Sequence, residues 1–194
     1  MKSFHHFRFD MQSRMPGQRG ISLVIVMIFL VILSALGVTA MQSSTFSSRI
    51  ARNESDRNLA FQAAEAALRD AELDIKNLRV DNSLCTTSTA GCRTELISRG
   101  DGFDGSCTLG RCDPSQIATP VWEDTTKWAT TGASVAYGTY TGAAALPVVA
   151  QQPRYLLEYF PLGESTVYRV TAVGFGANTS TQIMLQSAVK ALPI

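Results

Sequence analysis

The sequence predicts an α+β protein in which a long N-terminal helix, transmembrane in its first half, packs on a small antiparallel β-sheet. Three observations point there. Residues Ile21–Met41 form an uncharged apolar run, apolar positions recur at helical spacing from Ala60 to Leu78, and residues 155–190 alternate in the manner of strands.

The run Ile21–Met41 makes a helix of about 31 Å at 1.5 Å per residue, the thickness of a bilayer's hydrocarbon core. No charge follows until Arg49. Ahead of it Lys2, Arg8, Arg14 and Arg19 stand against Asp10 alone, so the leader should stay in the cytoplasm and the bulk of the chain should lie across the membrane. The whole chain carries a formal net charge of +1. That basic character lives in the leader, because the residues beyond position 20 hold more acids than bases. A secretory signal fits poorly: the apolar segment exceeds the usual length of its hydrophobic region, and no small-x-small cleavage context follows at Ser43–Ser48.

Helical periodicity continues past the membrane edge. Ala60, Ala64, Ala67, Ala71, Ile75 and Leu78 fall three or four apart, with Phe61 and Leu68 on the same side, and Glu65–Arg69 and Glu72–Lys76 offer i,i+4 pairs opposite. No proline interrupts Ile21–Leu78, which therefore reads as one nearly continuous helix with Gly37 as its soft point. Asp81, Asn82 and Ser83 are expected to stop it by competing for backbone hydrogen bonds.

A loop-rich stretch follows, in which only Thr94–Ser98 could be a short regular element. It holds all four cysteines, Cys85, Cys92, Cys107 and Cys112. An oxidising compartment would pair them into two disulfides, and three connectivities are open. The spacings do not match a four-cysteine zinc site.

Strands come last. Tyr155, Leu157 and Tyr159 share one face, Tyr168, Val170 and Ala172 oppose Val167, Arg169, Thr171 and Val173, and a third strand over Thr181–Lys190 sets Ile183, Leu185 and Val189 on one side. The turns at Pro161–Ser165 and Gly176–Ser180 are short enough for an antiparallel meander, whose apolar face the helix could cover. A weaker edge strand is expected near Val135–Tyr140.

His5 and His6 are the only histidines, and both precede the membrane segment. The outer domain thus lacks Ser-His-Asp and Cys-His catalysis and any histidine metal ligand. Asp101 with Asp104, or Glu123 with Asp124, sit in loops where carboxylates are ordinarily solvated. Gly100–Gly105 lacks the ligand spacing of a calcium loop, and neither a phosphate-binding loop nor a basic groove with aromatic platforms is present. No enzymatic role, cofactor, metal or nucleic acid is expected.

The basic leader ending in Gln18-Arg19-Gly20, followed at once by Ile21-Ser22-Leu23-Val24-Ile25-Val26, resembles the class III signal of type IV prepilins. More closely, Gly37–Met41, the run Arg57-Asn58-Leu59-Ala60-Phe61-Gln62-Ala63-Ala64-Glu65-Ala66-Ala67-Leu68-Arg69, and the segments Tyr168–Ala172 and Leu185–Ser187 resemble PilX-type minor pilins of Gram-negative bacteria. The resemblance covers residues 15–80 and the last 35, and leaves the middle unspecific.

It implies a type IV pilin-like fold in four parts: a cytoplasmic leader (1–20), a transmembrane assembly helix (21–48), its amphipathic continuation (49–78) and a disulfide-containing periplasmic or extracellular head (79–194). It implies cleavage between Gly20 and Ile21 by a prepilin peptidase and methylation of the new amine. The protein would be a non-catalytic subunit of the fimbrium that primes type IV pilus assembly and joins a tip complex, supporting twitching motility and cell adhesion. Its partners would be other minor pilins, the major pilin, the inner-membrane assembly platform and a large tip adhesin. The sequence departs from the common pilin pattern at Ile25, the fifth residue after the cut, where most pilins carry glutamate. The tip subunit of a type II secretion pseudopilus has a related gap, but its enlarged extra domain is not evident. A generic membrane-anchored scaffold is the remaining alternative.

Overall fold

The structure, a computed structural model, describes residues 20–97, 100–129, 132–163 and 165–191, with the backbone alone at 40–45, 129 and 191. The leader residues up to Arg19, with His5 and His6, lie outside the described residues.

With no proline between Pro16 and Pro114, backbone hydrogen bonding runs uninterrupted through α1, Ile21–Ile75. The helix stops at Asn77 rather than at Asp81–Ser83. Asn77 takes φ +54, the Leu78 N–H reaches the Leu73 carbonyl at 2.8 Å, and the Asn77 N–H reaches the Asp74 carbonyl at 3.0 Å. This is the paired closure of a helix end on a left-handed residue, which asparagine tolerates. Asp81 instead makes a local turn, accepting from the Ser83 N–H at 3.0 Å and its hydroxyl at 2.6 Å.

The chain divides between Arg49 and Ile50 into two units. In the second, Arg111–Cys112 (β1) and Val135–Ala136 (β2) are followed by the long strands Arg154–Leu162 (β3), Ser165–Phe175 (β4) and Gln182–Ala191 (β5). A short helix, Thr125–Ala129 (α2), lies between β1 and β2. Strands β3, β4 and β5 form the expected antiparallel meander, with Leu157 opposite Val170 and Tyr168 opposite Val189. The strands run further than the alternation suggested: Pro161 and Leu162 remain paired, and the hairpin closes with Leu162 opposite Ser165.

The sheet is nevertheless mixed, not antiparallel throughout. β1 joins β3 in parallel, Arg111 facing Leu157, while β2 joins the same edge antiparallel, Val135 facing Tyr155. Two-residue strands carry too little alternation to be read, so β1 escaped the sequence. Thr94–Ile97 form no regular element, and Ser98 lies outside the described residues.

The C-terminal part of α1 covers one sheet face. Ala67, Ala71 and Ile75 pack with Tyr155, Leu157, Tyr168, Val170, Ala172 and Val189, and Phe103, Tyr159 and Tyr168 form an aromatic cluster with centroids 5.7–6.1 Å apart. Small residues let helix and sheet approach closely: a Cβ added at Gly174 would strike the Ala60 carbonyl and the Ala64 backbone. For that reason the buried stripe takes in Ala63 and leaves Phe61 41% exposed, contrary to expectation. The Glu65–Arg69 and Glu72–Lys76 pairs are also not formed; among the described residues the ion pairs are Asp74–Arg93, Glu95–Arg111 and Glu158–Arg169. Solvated side chains gain little by holding one geometry.

The opposite sheet face is covered by the segment around the second cysteine pair. Leu156 packs with Cys107, Cys112 and Val121. Beside it the buried Glu158 accepts two hydrogen bonds from Arg169, at 2.8 and 2.6 Å, and the guanidinium lies over the Trp122 ring at 4.4 Å.

Candidate processing junction and assembly surfaces

At the N-terminal junction, Gly20 takes φ +136 and α1 starts at the next residue, Ile21. That conformation favours a residue without a Cβ. Gly20 and Ile21 are both exposed. Ile25 lies one turn on, at i+4 from Ile21 and on the same helix face.

The segment Ile21–Thr39 is the one described helix stretch long and apolar enough to cross a membrane, and none of it is buried within the chain. Its hydroxyls are satisfied internally: Ser34 Oγ donates to the Leu30 carbonyl at 2.6 Å and Thr39 Oγ1 to the Leu36 carbonyl at 2.9 Å. The segment therefore presents apolar surface all round, as an element facing lipid or another apolar helix must. Gly37 lies within the unbroken helix, with no neighbour within 4 Å of the position a Cβ would take.

In the second unit the structure pairs Cys85 with Cys92 and Cys107 with Cys112, with Cα separations of 5.7 and 4.1 Å. Both loops converge on Arg93, which the sequence reading passed over. Its guanidinium grips the Asp74 carboxylate through Nε and a terminal nitrogen, each at 2.7 Å, donates to the Leu109 carbonyl at 2.9 Å, and lies over the Tyr140 ring at 4.0 Å. Tyr155 Oη completes the set by donating to Asp74 at 2.7 Å. Burial, with the Asp74 and Asp70 charges nearby, pushes the Tyr155 phenol far above its ordinary range. It is a neutral donor at any physiological pH.

Two other α1 aspartates clamp further segments. Asp70 accepts from the Gly138 N–H at 2.8 Å and from the Thr141 hydroxyl. Burial raises its pKa, against those hydrogen bonds. Asp56 accepts from the Ala177 N–H at 2.5 Å and from Asn178 Nδ2 at 3.4 Å, holding the turn between β4 and β5. A signal for two of them was present: Asp70 and Asp74 fall three residues after Ala67 and Ala71, on the buried stripe and not opposite it.

Of the loop carboxylates, Asp104 accepts from Ser106 Oγ at 2.7 Å and the Thr108 N–H at 3.1 Å, and Asp124 accepts from the Thr126 N–H at 3.0 Å. Burial works against it, but these bonds hold Asp104 down at about 2. These two carboxylates are engaged in local turns, and no group of three or more His, Cys, Asp or Glu among the described residues could hold a metal ion.

Two open depressions lie along α1 and share Gln62. One, of about 750 Å³, is bounded by Ala51, Glu54, Leu59, Gln62, Pro147 and Val148. The other, of about 460 Å³, is bounded by Gln62, Glu65, Arg69, Asp70 and Tyr137.

With this geometry in view, residues 19–69 match the family model described as PilX N-terminal, and residues 81–191 match that of the type IV pilus assembly protein PilX C-term. No curated protein and no solved structure matches the chain.

Proposed function

This chain belongs to the PilX family of type IV pilus assembly proteins, and on that premise we propose that it is a minor pilin that primes the fibre and sits in its tip complex. Its role is structural, not catalytic. Residues 1–20 form the cytoplasmic leader, a prepilin peptidase cuts between Gly20 and Ile21, residues 21–48 span the inner membrane and then enter the fibre, residues 49–78 continue the helix, and residues 79–194 form the head on the periplasmic side. Twitching motility and surface attachment are the cellular outputs, with other pilins, the assembly platform and a large adhesin as partners.

The observation that carries the tip placement is Ile25. A carboxylate at this depth of an apolar helix is tolerable chiefly when paired with an ammonium, such as the N-terminal amine of the subunit added before it. A subunit with isoleucine there leaves an older amine uncompensated if it inserts beneath an existing pilin. At the top of the fibre no older amine exists, while the free amine of Ile21 can still receive the carboxylate of the next arrival. Gly37 gives the assembly helix a point at which to bend or loosen as it leaves the bilayer.

N-terminal sequencing of protein from sheared pili should begin at methylated Ile21, and immunogold labelling with an antibody to residues 79–194 should concentrate at one end. An intact Met1 end, or label spaced evenly along the shaft, contradicts this reading.

A further inference from the structure

The two edges of the sheet are finished differently. On one, β3 is covered by β1 and β2, two-residue strands that run in opposite directions. On the other, β5 pairs with β4 alone among the described residues, one residue to one from Thr166 with Ala191 to Phe175 with Gln182, without a bulge. Proteins blunt an open edge with prolines, bulges, charges or very short strands. β5, with the sequence QIMLQSAVKA, has a single charge, Lys190, and none of the other devices.

The pairing fixes which backbone groups are open. The Gly176 N–H bonds the Thr181 carbonyl at 2.9 Å, so these two form a hydrogen-bonded pair that continues the β4–β5 register. Bonded and non-bonded pairs alternate along an antiparallel ladder, so Ile183, Leu185, Ser187 and Val189 direct their N–H and C=O groups at β4. Gln182, Met184, Gln186, Ala188 and Lys190 direct theirs outward, and these same residues are the exposed ones. Another extended chain satisfies such a row of donors and acceptors as a set.

The side chains describe the chain that fits. On the α1 side of the sheet Ile183 and Leu185 are only half-buried, whereas Ala172, the β4 partner of Leu185, is fully buried. The cover thus stops short of the edge, and an added strand with apolar residues at alternate positions would extend it. Lys190 is exposed and enters none of the ion pairs among the described residues, so an acid across from it is favoured. β5 itself contains no acid, and a second copy of it would leave Lys190 unanswered.

We propose that β5 takes up an extended segment of a different protein as a further strand of the sheet, one with apolar residues alternating toward the α1 side and an acid opposite Lys190. This rests on the sheet and does not depend on the function proposed above. The test places a photoreactive amino acid at position 184, 186 or 188 of the full-length chain in the cells that make it, with the exposed Leu84 as a control. Mass spectrometry should find all three positions joined to one peptide of one other protein, at sites that step by two residues in a single direction, and position 84 not joined to that peptide. Links to lipid, to this chain's own β5, to scattered peptides or to nothing overturn the proposal. Ala188→Pro supplies a second arm, since it removes an N–H that faces away from β4, where an edge strand tolerates proline. Its melting temperature should stay close to the parent's, while the yield of the crosslink from position 186 falls about tenfold. An unchanged yield refutes the pairing, and a large drop in melting temperature would place the Ala188 N–H inside the β4 ladder and overturn the assignment of the open groups.

Discussion

The two halves of α1 solve opposite problems with one backbone geometry. From Ile21 to Leu33 the helix carries large branched and aromatic side chains, nearly all exposed. From Ala60 to Ile75 it buries Ala60, Ala63, Ala64, Ala67 and Ala71, together with Asp70 and Asp74. A helix whose partner is outside the chain gains from apolar area on every side. One that must lie close to its own sheet gains from small side chains and from acids that clamp the surrounding loops. Mean apolarity does not separate the halves; side-chain volume and the placement of carboxylates do.

That contrast can be broken most forcefully at Asp74. Asp74→Ala leaves Arg93 buried without its partner and Tyr155 without its acceptor, and should lower the unfolding free energy by about 3–5 kcal/mol. Urea unfolding of the mature chain in detergent reads this directly. A loss under about 1 kcal/mol would show that the clamp does not hold the head together. The complementary change, Ile28→Arg in the first half, should cost about 2.5–3.5 kcal/mol in apparent membrane insertion and leave the unfolding midpoint of the head where it was. If the midpoint moves, the two halves are not independent.

The double change Cys85→Ser with Cys92→Ser opens a short loop and should cost about 2–3 kcal/mol through the unfolded chain. A larger loss, with Arg93 hydrogen bonding weakened, would mean that the crosslink also positions Arg93. The smallest effects come from pH. Burial raises the pKa of Asp70 above its ordinary 3.8, so its contribution is fully present below that value and is lost as pH rises through the raised folded value. Asp104, held at about 2, contributes stability above 3.8 that is lost as pH falls toward 2. Asp70→Asn should flatten the first slope and Asp104→Asn the second. A melting temperature whose pH dependence is the same in both variants as in the parent refutes these assignments.

How far the sequence was legible varied with the length of the signal. The apolar span, the alanine stripe and the three long strands each repeat a pattern over many residues, and all were readable. β1 spans only Arg111 and Cys112, and its parallel pairing joins strands some 40 residues apart, so nothing local announced it. The helix end was misplaced because Asp81, Asn82 and Ser83 are stronger general stop signals than a lone Asn77, whose left-handed φ only the folded chain reveals. Asp70 and Asp74 were passed over because charged helix residues are usually solvated.

By itself the sequence determined that the first half of α1 needs an apolar environment, that helical periodicity continues into an alanine face, and that strands close the chain. Those properties follow from side-chain volume and period, which any conformation of the chain carries. The tertiary structure alone decided which cysteines pair, that Arg93 is where both disulfide loops meet Asp74, and that β5 stands at an edge of the sheet. Each of these depends on which distant segment occupies the space beside a given residue. Burial and hydrogen bonding between residues 19 to 81 positions apart set that, and local pattern is blind to it.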